Sequence, residues 1–193
     1  MKTFSVVNDS FVRNTIDPCN VVYDLDANDT RKKTAPPTPI SEYGRDATLL
    51  EPFVFETSIG KLTVPSNVPS CYEPKSDKIK NDRRTLVYYP KDIPYDDSVT
   101  GTKIIQEGIL FLISSTSETA EEWADSVSKS VNESPDVQSL TTLKGHEVLL
   151  VHGIPSKDMS STVKMVIDDK KIQIISTKLD TSYLMDVLES MFE

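Results

Sequence analysis

The sequence predicts an α+β fold, an antiparallel β-sheet with two main helices packed against it. Three stretches near the end of the chain carry that prediction. Residues 145–153, GHEVLLVHG, have the apolar, β-branched density of a strand. Residues 161–178, STVKMVIDDKKIQIISTK, alternate on either side of a short acidic turn, as a hairpin does. Residues 181–193, TSYLMDVLESMFE, put Leu184, Val187, Leu188 and Met191 at i, i+3, i+4 and i+7, one stripe of a closing helix.

The remaining elements follow in order. Residues 4–7 and 20–25 have strand character and are followed by DANDTRKKTAPPTP, whose prolines favour extended backbone. Residues 1–48 are therefore expected to form an arm or edge segment with a Pro-rich connector, and residues 49–193 a single α+β domain. Residues 52–57 and 61–64 are predicted strands around a tight turn at Ser58, Ile59 and Gly60. The three prolines of VPSNVPSCYEPKSD exclude a central strand, so residues 64–77 are expected to loop across one end of the sheet. Residues 85–89 are a short strand of β-branched and aromatic residues, and residues 90–101 a long loop. Residues 103–115, with Ile104, Ile105 and Ile109 to Ile113, are expected to be the strongest buried strand, with Gly108 marking a bulge or break. A helix is predicted over 119–131. Thr119 and Glu122 are placed for a capping box, and Ala120, Trp123, Ala124, Val127 and Val131 lie on one face. Short strands follow at 140–143 and 147–152. In the hairpin, Val163, Met165 and Ile167 share a face across from Lys164 and Val166, and Ile172 and Ile174 do the same opposite Gln173 and Ile175. Thr181 is the expected cap of the final helix.

Composition narrows the function classes. Of 193 residues, 37% are hydrophobic, and the formal charge is −9. Such a balance opposes a sequence-independent grip on nucleic acid. The acid excess concentrates in residues 101–150, with eight acids against three bases, which suits a solvated helix face. No apolar run approaches the ~20 residues of a membrane span. The first residues show no signal-peptide pattern, so a cytoplasmic location is expected, with a mature secreted domain as the alternative. Cys19 and Cys71 match no metal spacing. They are either one disulfide of an oxidising compartment or two free thiols, the latter being the plainer reading. Sequons at Asn8, Asn28 and Asn132 are short enough to arise by chance.

The order strand–strand–strand–strand–helix–strand–hairpin–helix resembles the PsbP-like fold. That fold is known from an extrinsic photosystem II subunit, a Ran-binding relative and bacterial lipoproteins. The similarity lies in the apolar strand leading into ETAEEWADSVSKSV, in GHEVLLVHG, and in LMDVLESMFE after IQIIST. It covers roughly residues 49–193. It implies an antiparallel sheet with helices on its faces and a binding or accessory role, and it carries over no site residue.

The candidate chemistry is sparse. His146 and His152 share one strand face but stand ~20 Å apart, too far to hold one metal ion. Each could serve alone as a base, and each is more simply a strand-end histidine with a local hydrogen bond. Asp24, Asp26 and Asn28 space their oxygens like the opening of a calcium loop. Asp29 then stands where a glycine is needed and Ala35 where a glutamate should close the site, so no metal is expected. Tyr88, Tyr89 and Tyr95 cluster with Asp92, Asp96 and Asp97 around the 90–97 loop. They serve either as interface anchors or as packing against the sheet. Lys75, Lys78, Lys80, Arg83 and Arg84 form the one basic-rich stretch, a solvated loop or a dock for an acidic partner. Glycine-rich phosphate cradles and nucleophile elbows are absent, and no cofactor is expected.

These observations favour a non-enzymatic binding or accessory module that meets a protein partner through the sheet face or the 90–97 loop. Tyr88, Tyr89, Tyr95, Asp96 and Asp97 are its candidate binding residues. The alternative is a small-molecule or ion-binding protein with hydrolytic activity at His146 or His152. A third reading makes the arm a contact to a neighbouring subunit.

Overall fold

A computed structural model of the chain describes Cys19 and residues 53–96, 101–153 and 159–193. A seven-stranded sheet dominates. Its strands are β3 (Tyr72–Lys80), β4 (Arg83–Pro90), β5 (Ile109–Ser115), β6 (Gln138–Leu143), β7 (His146–Val151), β8 (Ser161–Ile167) and β9 (Lys170–Ser176). Their order is β3-β4-β5-β9-β8-β7-β6, antiparallel at every pairing. A separate small hairpin joins β1 (Phe55–Thr57) to β2 (Gly60–Leu62). Three helices complete the described residues: α1 (Gly101–Glu107), α2 (Ala120–Glu133) and α3 (Thr181–Glu189). The α+β class expected from the sequence is the class observed.

Alternation along each strand assigns the two sheet faces. Ile109, Phe111 and Ile113 of β5 join Val163, Met165, Ile172 and Ile174 in the main core. Leu184, Val187 and Leu188 of α3 press onto this face, and Leu62 and Phe53 of the first hairpin region close it. The chain end adds a strand-like contact, with Leu62 bridged to Phe192 and Thr63 N–H donating to Met191 O at 2.7 Å. The opposite face carries two smaller clusters. Ile104 of α1 packs on Val87, Leu110 and Ile175, and Trp123 and Val127 of α2 pack on Leu149 and Val166.

The turns follow from residue chemistry. Asn81 and Asp82 take φ of 49° and 57° between β3 and β4, and Lys144 and Gly145 take 49° and 89° between β6 and β7. Two-residue hairpins need such positive φ, which Asn, Asp and Gly tolerate best. Asp168 does the same at φ 50° between β8 and β9, and its carboxylate accepts from Ser58 N–H at 2.8 Å. That bond pins the β1–β2 turn to the β8–β9 turn.

Four sequence expectations change. Residues 103–115 are not one strand: their first part is α1, and β5 starts only at Ile109. Gly108 is the break, its N–H donating to Ile104 O at 2.7 Å. A Cβ there would lie 2.5 Å from Tyr88 O and 2.9 Å from the Tyr89 ring, so only glycine lets helix and strand meet so closely. Residues 72–77 are not loop but part of β3. Pro74 is tolerated because β3 is an edge strand, and the register shifts between Pro74 and Ser76. The cap of α3 is Asp180, whose carboxylate accepts from Tyr183 N–H at 2.8 Å, and Thr181 is the first helical residue. Finally, Cys19 and Cys71 are not free thiols but a disulfide, with Cα atoms 5.5 Å apart. The predicted capping box of α2 is present, with Glu122 N–H donating to Thr119 Oγ1 and Thr119 N–H to the Glu122 carboxylate.

Candidate functional site: a cationic strip on the open sheet face

Strand register brings together residues that are far apart in sequence. On the face that carries α1 and α2, one row runs Lys78, Thr85, Leu112, Gln173, Lys164, Leu149. The next row runs Lys80, Arg83, Ser114, Lys171, Val166. Leu149 and Val166 are buried under α2. Thr85, Leu112, Gln173, Lys164, Ser114 and Lys171 are only half-buried, although most of them stand on central strands. Lys78, Lys80 and Arg83 are exposed. An antiparallel sheet can leave one face wet, and this one does so where neither helix reaches.

The strip is cationic in an otherwise acidic protein. Lys78, Lys80, Asn81, Arg83 and Thr85 line an open concavity of about 450 Å³ at the β3–β4 end. Lys164 and Lys171 are diagonal cross-strand neighbours. Burial, and then the nearby Lys171 charge, hold the Lys164 ammonium below its ordinary pKa. Lys171 lies 3.2 Å from the Glu118 carboxylate and 5.0 Å above the Trp123 ring. α2 thus fixes one margin of the strip: its Trp123 also donates its indole N–H to Glu147 O at 3.0 Å.

The basic-rich stretch of the sequence divides between faces. Lys78, Lys80 and Arg83 face the strip. Arg84 faces the opposite side, where it pairs with Asp77 and stacks 4.3 Å from the Phe53 ring. Lys75 pairs with Glu73 beside the register shift.

The tyrosines lie elsewhere. Tyr88 is buried in the main core against Phe111, with ring centroids 5.3 Å apart. Its burial, and then the Asp77 charge, push its phenol up to about 12. Tyr89 is fully buried under α1, and Tyr95 folds back onto it at 5.3 Å. Burial first, then Glu107 and Tyr95, raise the Tyr89 phenol, whose hydroxyl has no hydrogen-bond partner among the described residues. Of the five candidate binding residues, only Asp96 is exposed, and Asp97 lies outside the described residues.

His152 directly follows β7, and its ring reaches α3. Its Nε2 is 2.7 Å from Ser139 Oγ and its Nδ1 2.9 Å from Thr181 Oγ1. A neutral imidazole can donate through one nitrogen and accept through the other, so this chain satisfies the ring. Among the described residues, its side-chain partners are these two hydroxyls and no carboxylate. His146 stands at the other end of the strand. Asp24, Asp26 and Asn28 lie outside the described residues, among which no three His, Cys, Asp or Glu side chains converge as a metal site.

The strip was not named by the sequence. Lys78 and Lys80 alternate, and Lys164 and Lys171 flank a hairpin turn, but only the sheet order places these pairs on one face. No family model and no curated protein matches this chain.

Proposed function

We propose that this protein is a non-enzymatic accessory module that binds a protein partner through the open sheet face around Leu112, Gln173 and Lys164. The observation that carries the reading is the row of half-exposed side chains on central strands, on the face opposite the one that holds the main core. A central sheet face left open in this way is a surface a partner can cover. Resemblance to PsbP-like domains, which are mostly non-catalytic, points the same way. The Cys19–Cys71 bridge favours an oxidising compartment over the cytosol, since reducing pools keep exposed thiols apart. The test is site-specific photo-crosslinking in cells that naturally make the protein. A photoreactive residue at Leu112 or Gln173 is expected to trap a discrete protein adduct, and one at Glu56, on the far side, is not. Equal labelling from all three positions, or none from the strip, sinks the reading.

A second reading, small-molecule binding with hydrolytic activity, draws on the Ser139–His152–Thr181 chain. Ser139 is within proton-transfer reach of an imidazole, the geometry a base-activated nucleophile needs. The third group is a hydroxyl, which cannot offset imidazolium charge as a carboxylate does. That weakness ranks this reading second.

A further inference from the structure

The partner's chemistry can be named one step further, resting on the accessory-module reading. We propose that the strip receives an extended acidic segment of the partner, about six residues long, with carboxylates at both ends and an apolar side chain near its middle. Lys78 and Lys164 mark the two ends of one row, four inter-strand steps apart. At ~4.8 Å per step this is ~19 Å, which six extended residues span at ~3.3 Å each. Arg83 and Lys80 reinforce the first end, while at the second Lys171 is already paired with Glu118 and Lys164 carries the contact. Leu112, half-exposed between them, offers an apolar contact, and Thr85 and Gln173 offer hydrogen bonds on either side of it.

The distribution of charge selects this occupant over other anions. A compact phosphate cluster could meet Lys78, Lys80 and Arg83 in their shared concavity, but Lys171 and Lys164 stand three and four strand steps from β3, beyond its reach. Glu118 at the start of α2 and Glu147 on β7 stand on the same face, and Glu107 ends α1 nearby. These carboxylates, with the net charge of −9, oppose a densely charged polyanion or an anionic membrane. A short segment with few charges can seat between them. Complementary charge of this kind sets orientation and on-rate while the central contact sets register.

The experiment uses the full chain, labelled with ¹⁵N, and four probes. These are an acidic heptapeptide with a central leucine, its Asn/Gln counterpart, tripolyphosphate, and phosphatidylserine vesicles. The acidic peptide is expected to shift the amides of Thr85, Leu112, Gln173 and Lys164 together. Its affinity should fall at least tenfold in the double variant Lys78→Glu, Arg83→Glu, whose sites are exposed and tolerate the change. Lys164→Glu should do the same, with the fold checked by the remaining amide pattern. The proposal is overturned if the neutral peptide binds equally, if charge reversal leaves affinity unchanged, or if tripolyphosphate or vesicles move the same amides at lower concentration. A crosslinked protein partner that survives Lys78→Glu, Arg83→Glu would also overturn it, while leaving the accessory-module reading intact.

Discussion

Single residues decide what the ends of the sheet can do. His152 is held by two hydroxyls from different elements, Ser139 on β6 and Thr181 at the first turn of α3. Thr181 is buried, so its hydroxyl has little access to water. A structural role and a hydrolytic role make different demands here. Thr181→Val leaves a half-buried ring nitrogen without its partner, which costs about 1–3 kcal/mol. Ser139→Ala removes the hydroxyl 2.7 Å from Nε2, the nucleophile of the hydrolytic reading. We expect Thr181→Val to lower urea stability by that amount, and Ser139→Ala to leave p-nitrophenyl acetate turnover at the level of free imidazole in both native and variant chains. Turnover well above imidazole that Ser139→Ala abolishes would instead promote the hydrolytic reading. Even spacing in sequence placed His146 and His152 on one face, but the partners of His152 come from 13 and 29 residues away. Local pattern has no access to such contacts.

At the scale of elements, legibility followed how local the determining interactions are. The box that starts α2 is written within four residues, Thr119 to Glu122, and it forms as the spacing requires. The β8–β9 hairpin is equally local, with alternation on both sides of Asp168 and Asp169. α1 was hidden because Ile104 and Ile105 adjoin the apolar run of β5. Nothing in their periodicity separates a seven-residue helix from a strand, and the deciding contact is the close approach of Gly108 to Tyr88 and Tyr89. β3 was hidden by its prolines, which exclude a central strand but not an edge one. The cationic strip is legible in neither way, since it exists only after five strands have paired in register. Thr119→Ala removes one side of the reciprocal bonds and is expected to destabilise the fold by about 1 kcal/mol, read as a lower urea midpoint with an unchanged m-value. Glu122 belongs to the same bonds. The Thr119 backbone N–H, then its hydroxyl, hold the Glu122 carboxyl below the ordinary range, so the contribution should fade as the pH drops through that lowered value.

Across the whole molecule, charge and packing pull against each other along the strip. The protein carries −9 overall, yet its open sheet face gathers Lys78, Lys80, Arg83, Lys164 and Lys171. Lys164 bears most of that tension, because it stands on a central strand, half out of water, with Lys171 as its diagonal neighbour. Its pKa is lower folded than unfolded. Between those two values the unfolded chain therefore binds more protons, and stability rises as the pH rises. Below that window the folded state carries the full cost of the charge. Lys164→Met removes the charge and keeps the stem that packs beside Leu149. At pH 7 this variant is expected to be more stable than the native chain by roughly 0.5–1 kcal/mol, a modest figure because the group is half-exposed. The gain should shrink as the pH approaches 10.5, where both states lose the proton. Urea unfolding of the two chains at pH 7 and pH 10 reads the difference. A gain that stays constant with pH would mean that packing, and not charge, sets it. If the acidic-segment proposal holds, the same variant binds the acidic heptapeptide more weakly while folding more tightly. That exchange of stability for recognition is what a binding surface built on a central strand requires.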